Sequence, residues 1–397
     1  MKPLEGIRIL EFSTMVTASF SAMMLAEQGA EVIKVEPIVM GDPMRLLGSM
    51  KGGVSALFAN CNRGKRSLRV DLKSESGRQA IERLAADTDV VLCNFRPGVM
   101  DGVGLGSAQL RAINPRLIYA AVSGFGTEGP ESGAPAYDPV IQAQSGFAAV
   151  QGQGQDGPEL VRNLTCDKIT AYTACQAVTA ALFARERTGE GQHIDISMMD
   201  AGLFFLFPDG FMHRTLLDDD VDHGAPLSEM LYDLNKTKDG ALTVSASSEG
   251  QLVGLLTALG QLHLFADERF NSRERLFANI EAFRQALEGA YADFETEQLY
   301  DELRANDVPV ARCLDYDEVL AHPQYAANGS VKTAEHPVMG SMVQVASPAR
   351  FGGEQLEPAE HAAEHGQHTE EILAEIGFSV DEIAGMVERD EARGITD

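Results

Sequence analysis

Three stretches of the chain place reactive or anion-binding side chains where chemistry can use them. Asp167 stands at the head of an alanine-rich run over 167–187 that reads as a long helix opened by an N-cap aspartate. A carboxylate is ionised at neutral pH and can attack an activated carbonyl without a partner base. Capping the helix is the structural role open to the same residue. The segment 63–73 (RGKRSLRVDLK) holds five cations, Arg63, Lys65, Arg66, Arg69 and Lys73, against one acid, Asp71. Such groups match phosphate oxygens, and they equally make ordinary ion pairs in a solvated loop. The third stretch is Asn94-Phe95-Arg96-Pro97-Gly98. Phe95 offers a face for a flat base and Arg96 a charge for a phosphate, while a turn with proline at a helix start is the structural alternative.

The elements that must position these residues come from the hydrophobic pattern. Apolar strands are predicted at 7–12, 31–35, 89–93 and 117–122, with helices over 19–27 and 74–86 between them. This alternation predicts a mostly parallel sheet covered by helices, and puts Asn94-Phe95-Arg96 at the carboxyl end of a strand, where open α/β sheets bind ligands. A dinucleotide site needs glycines in the turn after the first strand. Here the turn reads Ser13-Thr14-Met15-Val16-Thr17-Ala18-Ser19, so that fingerprint is absent. Glycine and proline are frequent from 123 to 160, which predicts functional loops. Composition shifts at 207–223, which reads as a linker. A second unit is expected from about 225 to 325.

Composition removes several classes of function. The formal charge of −27 argues against nucleic acid as a partner. The absence of a long apolar run argues against a membrane span, and the first residues, MKPLEGIRILEF, lack signal-peptide features, so a cytoplasmic location is expected. Five cysteines without a CxxC pair fit free thiols in a reducing compartment. His361, His365 and His368 have spacings that metal ligands use, but no metal site is assigned to them.

Taken in order, LEGIRILEF, AEQGAEVIKVEP with GDPMR, NRGKRSLRVDLK, NFRPG, INPRLIYAAVSGFG, AYDPVIQAQSG, the helix headed by Asp167 and ARERTGEGQHIDISMMDA resemble the class III CoA-transferase family along nearly the whole chain. The resemblance implies a Rossmann-like large domain (1–205 and 330–397) and a smaller α+β domain (225–325), joined by linkers at 206–224 and 326–329. It implies an interlocked homodimer. It implies coenzyme A thioesters and carboxylic acids as substrates, with no permanently bound cofactor. Asp167 matches the family's nucleophile. Val16, Arg45, Lys65, Arg66, Leu72, Lys73, Asn94, Phe95, Arg96 and Tyr137 match positions that line the CoA site. The racemase branch carries histidine where this chain has Tyr137, and tyrosine is a poor base at neutral pH. Two departures stand out. Gly102 replaces a basic residue that often meets CoA phosphate, and no glycine-rich run lies between 224 and 250, which argues against formyl-CoA and oxalate as the substrate pair.

Overall fold

The computed structural model describes residues 2–152, 157–223, 232–359 and 361–395. Part of the glutamine–glycine loop (153–156), and residues 224–231 where the second unit was expected to begin and the glycine-rich run was sought, lie outside the described residues. Two compact units emerge: Met1–Gln151 with Glu159–Leu206 and Pro323–Asp397, and Gly152–Pro158 with Phe207–His322.

The first unit is built on six strands: β1 (Arg8–Phe12), β2 (Glu31–Glu36), β3 (Lys65–Arg69), β4 (Val90–Cys93), β5 (Ile118–Ser123) and β6 (His193–Ser197). Their spatial order is β3-β2-β1-β4-β5-β6 and every neighbouring pair is parallel. Ile9 lies opposite Val32 on one side and Val90 on the other. This is the doubly wound, Rossmann-like order. Its direction reverses between β1 and β4, and the crevice outside their carboxyl ends is the ligand position of such sheets. All four residues of β4 are buried, as expected of a strand covered on both faces.

Helix α1 (Thr17–Glu27) follows β1 directly. Two further helices matter for the site: α2 (Asp138–Ser145) and α3 (Thr165–Thr188). One core joins Leu10, Phe12, Ile33 and Leu68 of the sheet to Ile81 and Leu84. Ile372 and Leu373 of the late helix Thr369–Glu375 complete it. The chain therefore returns to the first unit at its end. A last helix, Val380–Glu388, was not foreseen. A reciprocal capping box between Ser379 and Glu382 starts it.

The second unit carries an antiparallel sheet of Asn235–Lys236, Ala241–Val244 and Val310–Arg312. Leu242 of this sheet packs with Leu255, Leu299 and Leu303 from its helices and with Phe270 from a turn, an α+β arrangement. The stretch read as a linker from 206 is in part helical. Helix Met198–Gly210 runs into it, with Pro208 inside, and a short helix Met212–Thr215 follows. The apolar run Leu203–Phe207 prolongs the helix beyond the point where composition changes.

Candidate active site

The turn after β1 carries the site's geometry. Met15 adopts φ +62°, a left-handed conformation uncommon for a residue with a side chain. Side chains hold the turn from several directions. Asn94 donates through Nδ2 to the Thr14 carbonyl (2.7 Å) and accepts the Thr14 N–H through Oδ1 (3.0 Å). Asp42 accepts the Met15 N–H through Oδ1 at 3.0 Å. The switch-point crevice is thus shaped by an amide and a carboxylate rather than by glycine.

Asp167 reaches this turn from α3. Its Oδ1 accepts a 2.5 Å hydrogen bond from the hydroxyl of Thr17, the first residue of α1. Among the described residues Thr17 is the only hydrogen-bond partner of that carboxylate. The N-cap assignment is corrected: α3 begins at Thr165 with Leu164 in the cap position, so Asp167 lies inside the first turn. Its own N–H, one of the orphan donors of a helix start, is taken by Asp138 Oδ1 at 2.9 Å. Asp138 is buried, and its Oδ2 accepts Gln142 Nε2 at 2.5 Å. Gln142 in turn fastens the approach to α3 through Val161 and Asn163.

Asp167 is 7% exposed. Burial pushes its carboxyl above the ordinary aspartate value, the Thr17 bond pulls it back, and the charge of Asp138 pushes it up again. The charged form of a carboxylate so placed is less stabilised than in water. The acid limb of the pH–rate profile is expected above the range of an exposed aspartate. Thr17→Val should move that limb to higher pH, and Asp138→Asn should move it to lower pH. Limbs unmoved by both substitutions would contradict this electrostatic account.

The residues expected at the CoA site fall into two groups. Arg96 and Lys73 are exposed, and among the described residues neither cationic head has a hydrogen-bond or ion-pair partner. Tyr137 is 65% exposed and immediately precedes α2. Phe95 and Leu72 rest on the sheet core and are partly buried. Val16 is buried among Met44, Val54 and Phe58.

Others carry ion pairs or hydrogen bonds within the chain. The segment is the edge strand β3. Lys65 is buried and pairs with Glu11 Oε2 at 2.6 Å, donating also to Ser19 O and Asn62 Oδ1. Burial lowers its pKa to about 8, because Glu11 offsets the lost hydration only in part. Arg45 lies over the Phe58 ring and forks onto Glu36 at 2.8 and 2.6 Å. Arg66 spans Glu31, Glu371 and Glu375. Asn94 spends its amide on Thr14. A charge count along the segment does not reveal these partners, since Glu11 and Glu371 are distant from it in the chain.

Thr17, Asp42 and Asp138 were not singled out from sequence. Asp138 adjoins Tyr137, and Asp42 lies in the GDPMR segment, so both were in view without a visible role. The histidines disperse. His365 Nε2 meets the Pro37 carbonyl, His361 tilts against His336, and His368 Nδ1 accepts the Ser67 N–H. A cavity of about 930 Å³ in the second unit is lined wholly by residues of that unit, among them Leu255, Phe283 and Arg284.

A doubly wound sheet with a buried, singly held carboxylate at its switch point defines an α/β enzyme scaffold able to carry covalent catalysis. The family model described as CoA-transferase family III matches residues 4–369, and the chain belongs to that family. It is 33% identical to an acyl-CoA transferase of Fusarium pseudograminearum, with 96% of this chain and 86% of that protein covered. It is 33% identical to an acetyl-CoA:oxalate CoA-transferase of Acetobacter aceti (86% and 89% covered) and 30% identical to a succinate–glutarate CoA-transferase of Agrobacterium fabrum (94% and 96%). The crystal structure of a CAIB/BAIF family protein from Brucella suis superposes with TM-score 0.82 at 31% identity, covering 94% of this chain and 99% of that one. The chain is therefore a family III CoA-transferase, acting on CoA thioesters. Among the described residues no helix is long and apolar enough to cross a membrane.

Proposed function

We propose that this CoA-transferase moves CoA from an acyl-CoA to a free carboxylic acid through covalent intermediates on Asp167. The observation that carries this reading is a buried carboxylate with one oxygen held by Thr17 and no other hydrogen-bond partner among the described residues. Asp167 attacks the thioester carbonyl. The C–S bond breaks, CoA leaves as thiolate, and a mixed anhydride remains. The thiolate attacks the aspartyl carbonyl, the donor acid departs as carboxylate, and an aspartyl-CoA thioester forms. An acceptor carboxylate attacks that thioester and releases thiolate, which takes the new acyl group and restores Asp167. No step requires a proton, metal or ATP, since one thioester and one carboxylate stand on each side.

Incubation with acetyl-CoA or succinyl-CoA and a panel of acids should yield the acceptor's CoA thioester. Failure with every pair, despite CoA binding, would leave a binding protein instead. Tyr137 in place of histidine favours transfer over α-proton exchange, so no deuterium should enter a 2-methylacyl-CoA from heavy water. Arg96 is assigned to a CoA phosphate because its head is free. Arg96→Ala should raise KM for acyl-CoA by about tenfold with kcat little changed; an unchanged KM counts against the assignment. An interlocked homodimer is part of the same proposal. It is supported by Tyr172, Phe183 and Phe204, which are 55%, 60% and 85% exposed on long helices. A monomer by light scattering would refute it.

A further inference from the structure

We propose that Asp42 is a positioning residue for the transfer: it holds Met15 in its left-handed conformation and so aims the Thr17 hydroxyl at the Asp167 carboxylate. The inference rests on the reading of Asp167 as nucleophile and adds the residue that orients it. Sheets of this order commonly turn from their first strand into the first helix on glycine, which takes positive φ without steric conflict. Here the turn has no glycine, yet Met15 stands at φ +62°. Something must hold it there.

Asp42 is built for that task. It is fully buried. Its Oδ1 accepts the N–H groups of Met15 (3.0 Å) and Met44 (2.9 Å). Its Oδ2 pairs with Lys34 Nζ at 3.0 Å, and its own N–H donates to Glu36 Oε2 at 3.1 Å. Lys34 also donates to the Ser13 carbonyl at 3.0 Å, so the residue two before Met15 is tied to the same cluster. The carboxylate that bonds Met15 is thus itself held, by backbone N–H groups at Oδ1 and by the charge of Lys34 at Oδ2. Two residues further on, Thr17 opens α1, whose N-cap position is Val16 and which has no side-chain cap. With nothing else fixing that helix start by a side-chain cap, the direction of Thr17 Oγ1 follows from the turn. Tilting the turn moves the donor off Asp167, and small misplacements of a reacting group lower turnover steeply.

The test uses exchange of labelled acetate into acetyl-CoA, or of labelled succinate into succinyl-CoA, which needs no knowledge of the natural acceptor. Asp42→Ala should slow exchange by ~30-fold or more with KM for acyl-CoA within about threefold of wild type. Adding Met15→Gly to Asp42→Ala should restore at least about tenfold, because glycine takes the same backbone angle unaided. A purely structural loss would not be rescued at a single backbone angle. Met15→Val leaves the ion cluster intact and opposes positive φ, so it should slow exchange as well. It decides the matter even where Asp42→Ala fails to fold. Unchanged exchange in Asp42→Ala or in Met15→Val, or a folded Asp42→Ala that Met15→Gly does not rescue, overturns the proposal. The underlying reading fails separately, if Asp167→Asn retains exchange.

Discussion

Asp167→Asn is expected to lower CoA transfer by roughly 10,000-fold or more, the size of loss seen when a covalent nucleophile is removed. The stability of the variant separates this from a helix-capping role. Loss of a capping side chain costs about 1 kcal/mol. Asp167 instead has a pKa raised above the ordinary value, first by burial. Its charged form is therefore disfavoured by the fold, and at neutral pH the charge opposes stability. Asparagine keeps an oxygen to accept the Thr17 hydroxyl and removes the charge. Asp167→Asn should therefore melt at the same temperature as wild type or slightly higher while its activity vanishes. Unchanged activity, or a destabilised protein with proportional loss, would contradict the account.

The second large effect concerns the charges beneath the turn. Lys34 is buried and touches Glu11 at 2.7 Å and Asp42 at 3.0 Å. Burial alone would lower its pKa, but Glu11, Asp42 and Glu36 outweigh that and raise it. Lys34→Met removes the cation shared by Glu11 and Asp42, leaving Glu11 with Lys65 alone and the buried Asp42 without an ion-pair partner among the described residues. Breaking a buried pair in this way costs about 3–5 kcal/mol. The loss should appear as a lower guanidinium midpoint for the first unit's transition. A midpoint within error of wild type would show that the cluster relaxes without penalty. The same cluster predicts acid lability. Burial tends to raise the Glu36 carboxyl, but the hydrogen bonds and charge of Arg45, with Lys34, hold it down at about 2. Because the folded value lies below the unfolded one of 4.5, its contribution is full above about pH 4.5 and is lost as pH falls towards 2.

Strand periodicity and chain order carried most of the fold. VVLC at β4 and ILEF at β1 can only be covered strands in a chain that alternates with helices, and their parallel pairing follows. What the pattern could not carry was partnership. The cations of 63–73 stood out against an acidic background and suggested phosphate. Yet Lys65 meets Glu11, and Arg66 meets glutamates more than 300 positions further along the chain. Such pairings are set by topology, which a local charge count does not contain. The position of Asp167 was legible because its helix is long and because the ordered motifs resemble one family. Its capping role was misjudged because Asp is favoured both at a cap and inside the first turn, where the dipole suits an anion. Thr17 and Asp42 were invisible for a further reason. The sequence announces a glycine-free turn, but only backbone geometry reveals that Met15 takes the glycine conformation and therefore needs a holder.

The most direct test of the central claim is to find the covalent intermediate. The protein is incubated with acetyl-CoA or succinyl-CoA, trapped with hydroxylamine or borohydride, digested and mapped by mass. A modification confined to Asp167, and missing from Asp167→Ala, is the predicted result. Turnover without any adduct on Asp167, or an adduct on another residue that survives Asp167→Ala, would contradict it.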